Sequence, residues 1–238
     1  MCSSDLQMQA PHYVYGQSYQ VTSLGGTDSG ERFSFSNAHR EVAHYLTPLL
    51  GQHQVDNAGL AIQLCNLYCQ SKQLPLLTED QVSAALLVTS WPGRMEQISN
   101  QPRILLDGAH NPHAMEKLTA TLNQHYQELD KKILFSCIQT KSLEEMVGHL
   151  KQVPKSQLIL TSFEDPRSFS KEKMEALACE QDLHYADWQD FLDAYLKVGH
   201  RADELLLITG SLYFLAQVRA YIINKQKEFR SVYGHEEN

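Results

Sequence analysis

The chain has 238 residues, of which 42% are hydrophobic and 20% are charged. This ordinary globular usage excludes global disorder and a fibrous architecture. Lys and Arg number 20 against 28 Asp and Glu, a net charge of -8 that argues against general nucleic-acid binding. The acidic balance still permits a small anionic ligand held by a few local groups.

Cysteine usage and apolar segments bear on the compartment. The five cysteines are an odd number without a Cys-x-x-Cys pair, which is typical of a reducing compartment. The amino terminus lacks the basic and apolar regions of a signal peptide. The most apolar window, Leu205–Ile223, falls short of the roughly 20 apolar residues that a membrane span needs. We therefore expect a soluble cytoplasmic protein without a membrane or nucleic-acid partner.

The first 92 residues predict a β-hairpin followed by two helices. Aromatic and β-branched residues alternate from His12 to Phe35 around the turn-forming GGTDSG. Apolar residues at helical spacing predict a helix over Val55–Tyr68. The capping-box residue Thr78 begins another helix, and the Trp-Pro-Gly sequence starting at Trp91 is a strong break after it.

After that break, strand and helix patterns alternate regularly. The predicted strands are Arg103–Asp107, Ile133–Cys137, Leu158–Thr161, Leu183–Tyr185 and Leu205–Thr209, and the predicted helices are Pro112–Leu129, Leu143–Leu150, Lys171–Cys179, Trp188–Val198 and Leu212–Asn224. This alternation predicts an α/β fold with a mostly parallel sheet covered by helices on both faces. Ligands of such sheets bind outside the carboxyl ends of the strands, so the turns there are the candidate site.

The first unusual turn follows the strand Arg103–Asp107 and reads Asp-Gly-Ala-His-Asn-Pro. Asn111 is a good helix N-cap, and a proline fits the first helical turn after it. Asp107 and His110 are therefore expected at the mouth of the sheet, beside helix-terminal amides that attract anions. Two interpretations stay open: both are site residues, or Asp107 caps a turn and His110 is a solvated loop residue.

The second unusual turn is Thr-Gly-Ser-Leu at residues 209–212. Ser211 lies at the same predicted sheet edge as His110, although a plain N-cap is the simpler interpretation. The strand after the break is not followed by a G-x-G-x-x-G fingerprint, which disfavours a dinucleotide site. No G-x-x-x-x-G-K-[ST] sequence occurs either, which excludes a self-sufficient P-loop ATPase.

Two further residues are candidates for binding, and no metal site is predicted. Asn57, in the first turn of its helix, is either a ligand contact or a solvated polar residue. Arg94, next to the break, is either a phosphate clamp or an ordinary surface arginine. The histidines lack zinc-like spacing, and Cys65 and Cys69 lie on an apolar helix face that is typical of core packing.

Four motifs together resemble a specific family. They are Gly-x-His-Gln-x-x-Asn-Ala at 51–58, Pro-Gly-Arg-Met-Glu at 92–96, Leu-Leu-Asp-Gly-Ala-His-Asn-Pro at 105–112 and Thr-Gly-Ser-Leu-Tyr at 209–213. In this order they resemble folylpolyglutamate synthase, also called dihydrofolate synthase, of the Mur ligase superfamily. The Asp-Gly-Ala-His-Asn-Pro sequence is specific to the folate branch, and the resemblance extends from Val21 to Ile223.

The resemblance implies a P-loop ATPase domain followed by a smaller Rossmann-like domain. Residues 1–92 are then the carboxyl-terminal remnant of the ATPase domain, and residues 93–238 are the Mur ligase C-terminal domain. By the same resemblance, Asn57, Arg94 and Asp107 are similar to ATP contacts. His110 and Ser211 are similar to residues that face the phosphates and the incoming amino acid, and we treat them as the catalytic candidates.

The implied reaction is ATP-dependent ligation of L-glutamate to the γ-carboxylate of a folate through an acyl phosphate. The partners are then small molecules (ATP, folate and glutamate), with Mg²⁺ as cofactor and a monomer as the expected state. The family's P-loop and metal ligands lie upstream of the matched segment, and the opening MCSSDL is unlike the family. We therefore expect a truncated chain that is inactive, or nearly so, by itself.

Other functions stay open at this point. Another Mur-type amino-acid ligase is one, although the folate-type turn at residues 107–112 argues against it. A non-catalytic binding module that reuses the C-terminal fold is another, and the lack of a P-loop favours it. Within the folate branch, the sequence does not separate a glutamate-chain extender from an enzyme that also makes dihydrofolate.

Overall fold

The computed structural model describes residues 11–139 and 142–233, with side chains as far as residue 225. The opening MCSSDL lies outside the described residues. The chain divides into two compact units between Ser90 and Trp91. Each unit has its own sheet, and the assignment of the first to an ATPase remnant stays a prediction.

The first unit is a three-stranded antiparallel sheet with two helices. Its elements are β1 (Tyr19–Thr27), β2 (Gly30–Asn37), β3 (Arg40–Thr47), α1 (Gln52–Ser71) and α2 (Glu79–Leu87). The strands lie in the order β1-β2-β3. Phe33 and Phe35 are fully buried and form one apolar cluster with Val55 and Ile62 of α1, so one face of the sheet is covered by that helix.

The predicted hairpin and helices of this unit are present, with two differences. Thr27 pairs with Gly30 across the predicted turn, and Thr78 and Gln81 form the predicted capping box at α2. The first strand begins at Tyr19, later than the predicted pattern. Strand β3 was not predicted, because its inward positions are Ala43, Tyr45 and a threonine, which give a weak apolar alternation.

The second unit contains a six-stranded sheet flanked by helices. Its elements are β4 (Glu96–Asn100), β5 (Arg103–Asp107), α3 (Pro112–His125), β6 (Asp130–Phe135), α4 (Leu143–Lys151), β7 (Ser156–Leu160), α5 (Lys171–Glu180), β8 (His184–Tyr185), α6 (Trp188–Lys197), β9 (Glu204–Thr209) and α7 (Leu212–Tyr233). The strand order is β4-β5-β9-β6-β7-β8, and only β4 pairs antiparallel. The predicted α/β class with a mostly parallel, helix-flanked sheet is confirmed.

The core of this sheet is apolar on both faces. Ile104 and Ile208 belong to a buried cluster with Trp188 of α6 and Phe214 of α7. Side chains alternate between the faces of a strand, so Leu105 points to the opposite side, where it is also fully buried. Burial on both faces explains why these strands are continuous apolar runs.

The strand register places the ends of four strands at one level. Asp107 pairs with Thr209, Thr209 with Phe135, and Phe135 with Leu160. The connections that leave β5, β9, β6 and β7 therefore start along one edge of the sheet. Because β9 is inserted between β5 and β6, the two unusual turns predicted from the sequence are neighbours.

One strand of this unit was not predicted, and two predicted helix ends were wrong. The polar edge strand β4 was not predicted at all. Helix α3 ends at His125 rather than at Leu129, and α7 continues past Asn224 to Tyr233. No helix in the described ranges is long and apolar enough to cross a membrane.

Candidate functional site

Three of the four motifs meet at the carboxyl edge of the six-stranded sheet, which is the side where its parallel strands end. The amide of Gly108 donates to the carbonyl of Gly93 at 2.7 Å, which joins the turn after β5 to the loop before β4. A Cβ at Gly108 would lie 2.4 Å from Cδ2 of Leu212, which follows β9. The glycine at position 108 is therefore required by close packing, and it brings these three segments together.

Asp107 ties two of these segments by hydrogen bonds. Its Oδ2 accepts from the amide of Met95 at 3.0 Å, and its Oδ1 accepts from the amide of Ala109 at 2.9 Å. Met95 has a positive φ of 45°, so this carboxylate holds a loop conformation that a non-glycine residue seldom adopts. Asp107 thus fixes the loop that carries Arg94.

Burial dominates the electrostatics of Asp107. The residue is 7% exposed, and this loss of solvent raises the pKa of the carboxyl above its ordinary value. The amides of Met95 and Ala109 and the charge of Arg94 act in the opposite direction and lower the pKa, but desolvation is the larger effect. Both carboxylate oxygens already accept a backbone hydrogen bond, so the structure gives Asp107 at least a scaffolding role.

His110 is exposed in the same turn, just before the N-cap residue of α3. Its Nδ1 lies 2.8 Å from the carbonyl oxygen of Gly108. A carbonyl only accepts, so Nδ1 carries the hydrogen and the neutral ring leaves Nε2 as an acceptor. Asn111 caps α3, with its side chain accepting from the amide of Ala114 at 2.8 Å, as the sequence predicted.

Ser211 precedes helix α7 in the adjacent turn. Its Oγ accepts from the amide of Tyr213 at 3.3 Å, which is the contact of a helix N-cap. The residue is only 2% exposed. Gly210 before it has a φ of +116°, and a Cβ there would lie 2.2 Å from the carbonyl oxygen of Ser136. The tight exit from β9 therefore requires glycine.

Arg94 and Asn57 lie in different units. Arg94 is half-buried in the second unit, and its charge lowers the pKa of Asp107. Asn57 is exposed on α1 of the first unit, where its Nδ2 donates to Oε1 of Gln54 at 3.3 Å. The structure thus brings Arg94, Asp107, His110 and Ser211 to one sheet edge, and the binding roles assigned to the candidates stay predictions.

The sequence analysis missed one segment of this edge, the connection between β7 and α5. It contains Asp165 and Arg167, whose guanidinium lies 3.9 Å from the centroid of the Tyr213 ring. The signal was present in the sequence, since Glu-Asp-Pro-Arg follows a predicted strand and therefore faces the carboxyl edge. Charged residues in such a connection deserve the same weight as the two glycine turns.

The described residues do not assemble a metal centre. Within residues 11–139 and 142–233, no group of three or more His, Cys, Asp or Glu side chains is placed to hold an ion. Asp107, the buried carboxylate of the edge, has both oxygens engaged by backbone amides. These described residues therefore do not fit a magnesium site of their own.

A mostly parallel sheet with polar strand-to-helix turns at its carboxyl edge defines the class of α/β ligand-binding domains. Residues 93–212, half of the chain, match the family model described as Mur ligase, glutamate ligase domain. The chain belongs to this family. The match covers the three segments that meet at the edge, from Gly93 to Leu212.

Relatives extend the similarity beyond the matched domain. The chain is 30% identical over 192 residues to dihydrofolate synthase/folylpolyglutamate synthase of Bacillus subtilis, covering 80% of this chain and 44% of the relative. It is 28% identical over 194 residues to folylpolyglutamate synthase of Lacticaseibacillus casei, covering 82% and 44%. The chain thus spans less than half the length of these relatives.

Solved structures agree with the sequence relatives. The apo form of L. casei FPGS superposes with a TM-score of 0.71 at 26% identity, covering 93% of this chain and 49% of that one. An FPGS-AMPPCP-folate complex superposes with a TM-score of 0.71 at 25% identity, covering 92% and 49%. These findings confirm the resemblance to folylpolyglutamate synthases that the motifs indicated.

Proposed function

We propose that this chain is the glutamate-ligase portion of an ATP-dependent folate γ-glutamyl ligase. The observation that carries the proposal is the meeting of three motifs at one sheet edge, through the Gly108 to Gly93 hydrogen bond and the packing of Gly108 on Leu212. The relatives named folylpolyglutamate synthase support the choice of a folate as acceptor and glutamate as the amino acid.

The proposed reaction has two steps. A γ-carboxylate oxygen of the folate attacks the terminal phosphorus of ATP, giving an acyl phosphate and ADP. The amine of L-glutamate then attacks the acyl carbon, phosphate leaves with that carboxylate oxygen, and an amide remains. Negative charge builds on the phosphoryl group and on the tetrahedral intermediate, so cationic side chains and amide donors favour both steps.

His110 and Ser211 are the proposed catalytic residues. With Nδ1–H directed to Gly108, the exposed Nε2 of His110 is free to take a proton from the attacking amine. Ser211 accepts the Tyr213 amide through Oγ, so its own hydroxyl hydrogen is left to donate to an oxygen of the intermediate.

Asn57, Arg94 and Asp107 are the proposed nucleotide-binding residues. A guanidinium matches the geometry of phosphate oxygens, which supports Arg94 as the phosphate contact. Asp107 supports it by holding the Met95 amide and hence the loop of residues 92–96. Mg²⁺ would neutralise phosphate charge in this reaction, and we propose that its ligands and the phosphate-binding loop belong to a segment outside these 238 residues.

Glutamate ligation tests the proposal directly. Tetrahydrofolate, radiolabelled L-glutamate, ATP and Mg²⁺ are incubated with this chain and with the same chain extended upstream through a P-loop. Incorporation of label only by the extended form is the expected result. Incorporation by neither form would refute the ligase function, and turnover by the 238-residue chain alone would refute the need for an upstream phosphate-binding segment.

Two alternatives have specific support. A non-catalytic binding module is favoured by the lack of a P-loop sequence and by the structural hydrogen bonds of Asp107 and Ser211. Its signature would be folate or nucleotide binding without ligation in either form. Another Mur-type ligase is supported by the family match itself, and amino acids other than glutamate in the same assay distinguish it.

We propose a cytoplasmic location from the cysteine usage and a monomer from the family resemblance.

A further inference from the structure

The connection between β7 and α5, residues 161–170, is anchored across the carboxyl edge of the sheet. The amide of Gln139, in the connection after β6, donates to the carbonyl of Arg167 at 2.6 Å. Nε2 of Gln217 on α7 donates to the carbonyl of Glu164 at 2.9 Å. Contacts on both sides therefore fix this connection beside the first turn of α7.

Arg167 is held in one orientation by Asp165. Its Nε donates to Oδ1 at 2.9 Å and its Nη2 donates to Oδ2 at 2.8 Å, a bidentate pair. The backbone amide of Arg167 also donates to Oδ1 at 2.8 Å. These hydrogen bonds lower the pKa of Asp165 to about 2, so the carboxylate stays ionised and the pair persists at neutral pH.

The contacts of Arg167 continue through Tyr213 to Ser211. The guanidinium of Arg167 makes a cation–π contact with Tyr213, with 3.9 Å from Cζ to the ring centroid. The amide of Tyr213 donates to Oγ of Ser211, and the amide of Leu215 donates to the Ser211 carbonyl at 2.9 Å. Asp165, Arg167, Tyr213 and Ser211 thus form a continuous series of contacts.

We propose that Arg167 is a positioning residue, which fixes the Tyr213 side chain and thereby the orientation of the Ser211 hydroxyl in the first turn of α7. The inference rests on the proposed function, in which Ser211 serves the step that receives the amino acid. Without the guanidinium, the half-exposed Tyr213 ring loses its partner and the first turn of α7 opens more often. Arg167 itself need not touch a substrate for this effect.

The chain contains a second exposed arginine with a bidentate carboxylate partner, which serves as the control. Arg201 makes the same bidentate pair with Asp203, through Nε at 2.9 Å and Nη2 at 3.1 Å. Its side chain is 61% exposed against 53% for Arg167. It precedes β9 at the opposite, amino end of the strand, away from the first turn of α7. Arg201 also pairs with Asp130 and, at 3.7 Å, with Glu204. Arg201→Ala therefore removes more ion-pair contacts than Arg167→Ala does, without touching the proposed positioning series.

Amide hydrogen exchange on this chain tests the positioning directly. Arg167→Ala should raise the exchange rates of the Tyr213 and Leu215 amides by about twofold to fivefold, the range that an exposed cation–π contact supports. Arg201→Ala should leave both rates within twofold of the parent chain. Tyr213→Leu, which removes the ring and keeps the backbone, should reproduce the effect of Arg167→Ala. Equal rates in Arg167→Ala and Arg201→Ala would overturn the proposal.

Steady-state kinetics of the chain extended upstream through a P-loop (the ligating form) add a second readout. A general loss of stability would not raise KM for one substrate and leave KM for another unchanged. Arg167→Ala should raise KM for L-glutamate about fivefold or more and leave KM for ATP within twofold, whereas Arg201→Ala should change neither. Arg167→Lys keeps the charge without the planar guanidinium and its bidentate pair, and should fall between the parent and Arg167→Ala. If the ligating form without substitutions does not ligate glutamate, the proposed function fails. The exchange rates of the Tyr213 and Leu215 amides then decide alone whether Arg167 is a positioning residue. An unchanged KM for glutamate in Arg167→Ala overturns that role.

Discussion

Gly210→Ala is the sharpest test of how the second turn is built. The backbone there has a φ of +116°, and a non-glycine residue in such a conformation costs about 1 to 3 kcal/mol. The new Cβ would also lie 2.2 Å from the Ser136 carbonyl oxygen and 2.7 Å from the Phe135 ring. Overpacking of a tight site costs about 1 to 3 kcal/mol more. We expect a loss of about 2 to 6 kcal/mol in the free energy of unfolding of the second unit.

Urea denaturation followed by tryptophan fluorescence measures this loss. Trp188 is buried in the core of the second unit, so its emission reports the unfolding of that unit. A domain's whole stability is typically about 5 to 15 kcal/mol, so the predicted loss is a large part of it. The midpoint should fall while the slope with urea stays unchanged, which identifies a change of stability rather than of unfolded-state compactness.

The same substitution at Gly148 is the control. Gly148 lies in α4, where a Cβ would meet nothing within 4 Å. Gly148→Ala should therefore stabilise the chain by about 0.5 to 1 kcal/mol, because alanine has the higher helix propensity. A Gly210→Ala variant that is as stable as the parent, or that gains stability as Gly148→Ala does, would refute the close approach of this turn to the strand beside it.

Asp107→Asn should speed hydrogen exchange of the Met95 amide by about tenfold or more, because an amide nitrogen cannot accept that hydrogen bond. The control Asp187→Asn, at the N-cap of α6, should change the Tm little because aspartate and asparagine both cap helices well. Burial raises the pKa of Asp107, so its contribution to stability is fully present below 3.8 and is lost as pH rises through the raised pKa. The free energy of unfolding, measured from pH 4 to 8, should fall in the parent chain and not in Asp107→Asn. Equal pH profiles would contradict the raised pKa of Asp107. His110→Ala should lower ligation about 10²- to 10⁴-fold in the ligating form without shifting the Tm, because the side chain is exposed; full activity would remove His110 from the catalytic set.

Local patterns in the sequence were enough to predict most elements of the second unit. Its parallel strands are continuous apolar runs because both faces are buried, and its helices carry clear caps such as Asn111. Strand β4 escaped prediction because an edge strand buries little and its residues, Glu-Gln-Ile-Ser-Asn, are polar. The ends of α3 and α7 were wrong by several residues because helix termini depend on packing as much as on propensity.

The candidate site was only partly predictable for a different reason. The sequence placed Asp107, His110 and Ser211 at strand ends, but their adjacency depends on β9 lying between β5 and β6. Strand order is set by contacts far apart along the chain, and no local pattern encodes it. The scaffolding role of Asp107 likewise depends on the Met95 amide, twelve residues earlier, whose position is fixed by a loop conformation of positive φ.

Isotope transfer in the ligating form tests the central claim most directly, because it follows the oxygen that the proposed reaction moves. Folate labelled with ¹⁸O in its γ-carboxylate is incubated with ATP, Mg²⁺ and L-glutamate, and the released phosphate is analysed by mass spectrometry. The proposed acyl phosphate predicts one ¹⁸O in the released phosphate for each amide formed, and loss of both products in His110→Ala. Amide formation with unlabelled phosphate, or no glutamate conjugate at all, would contradict the account.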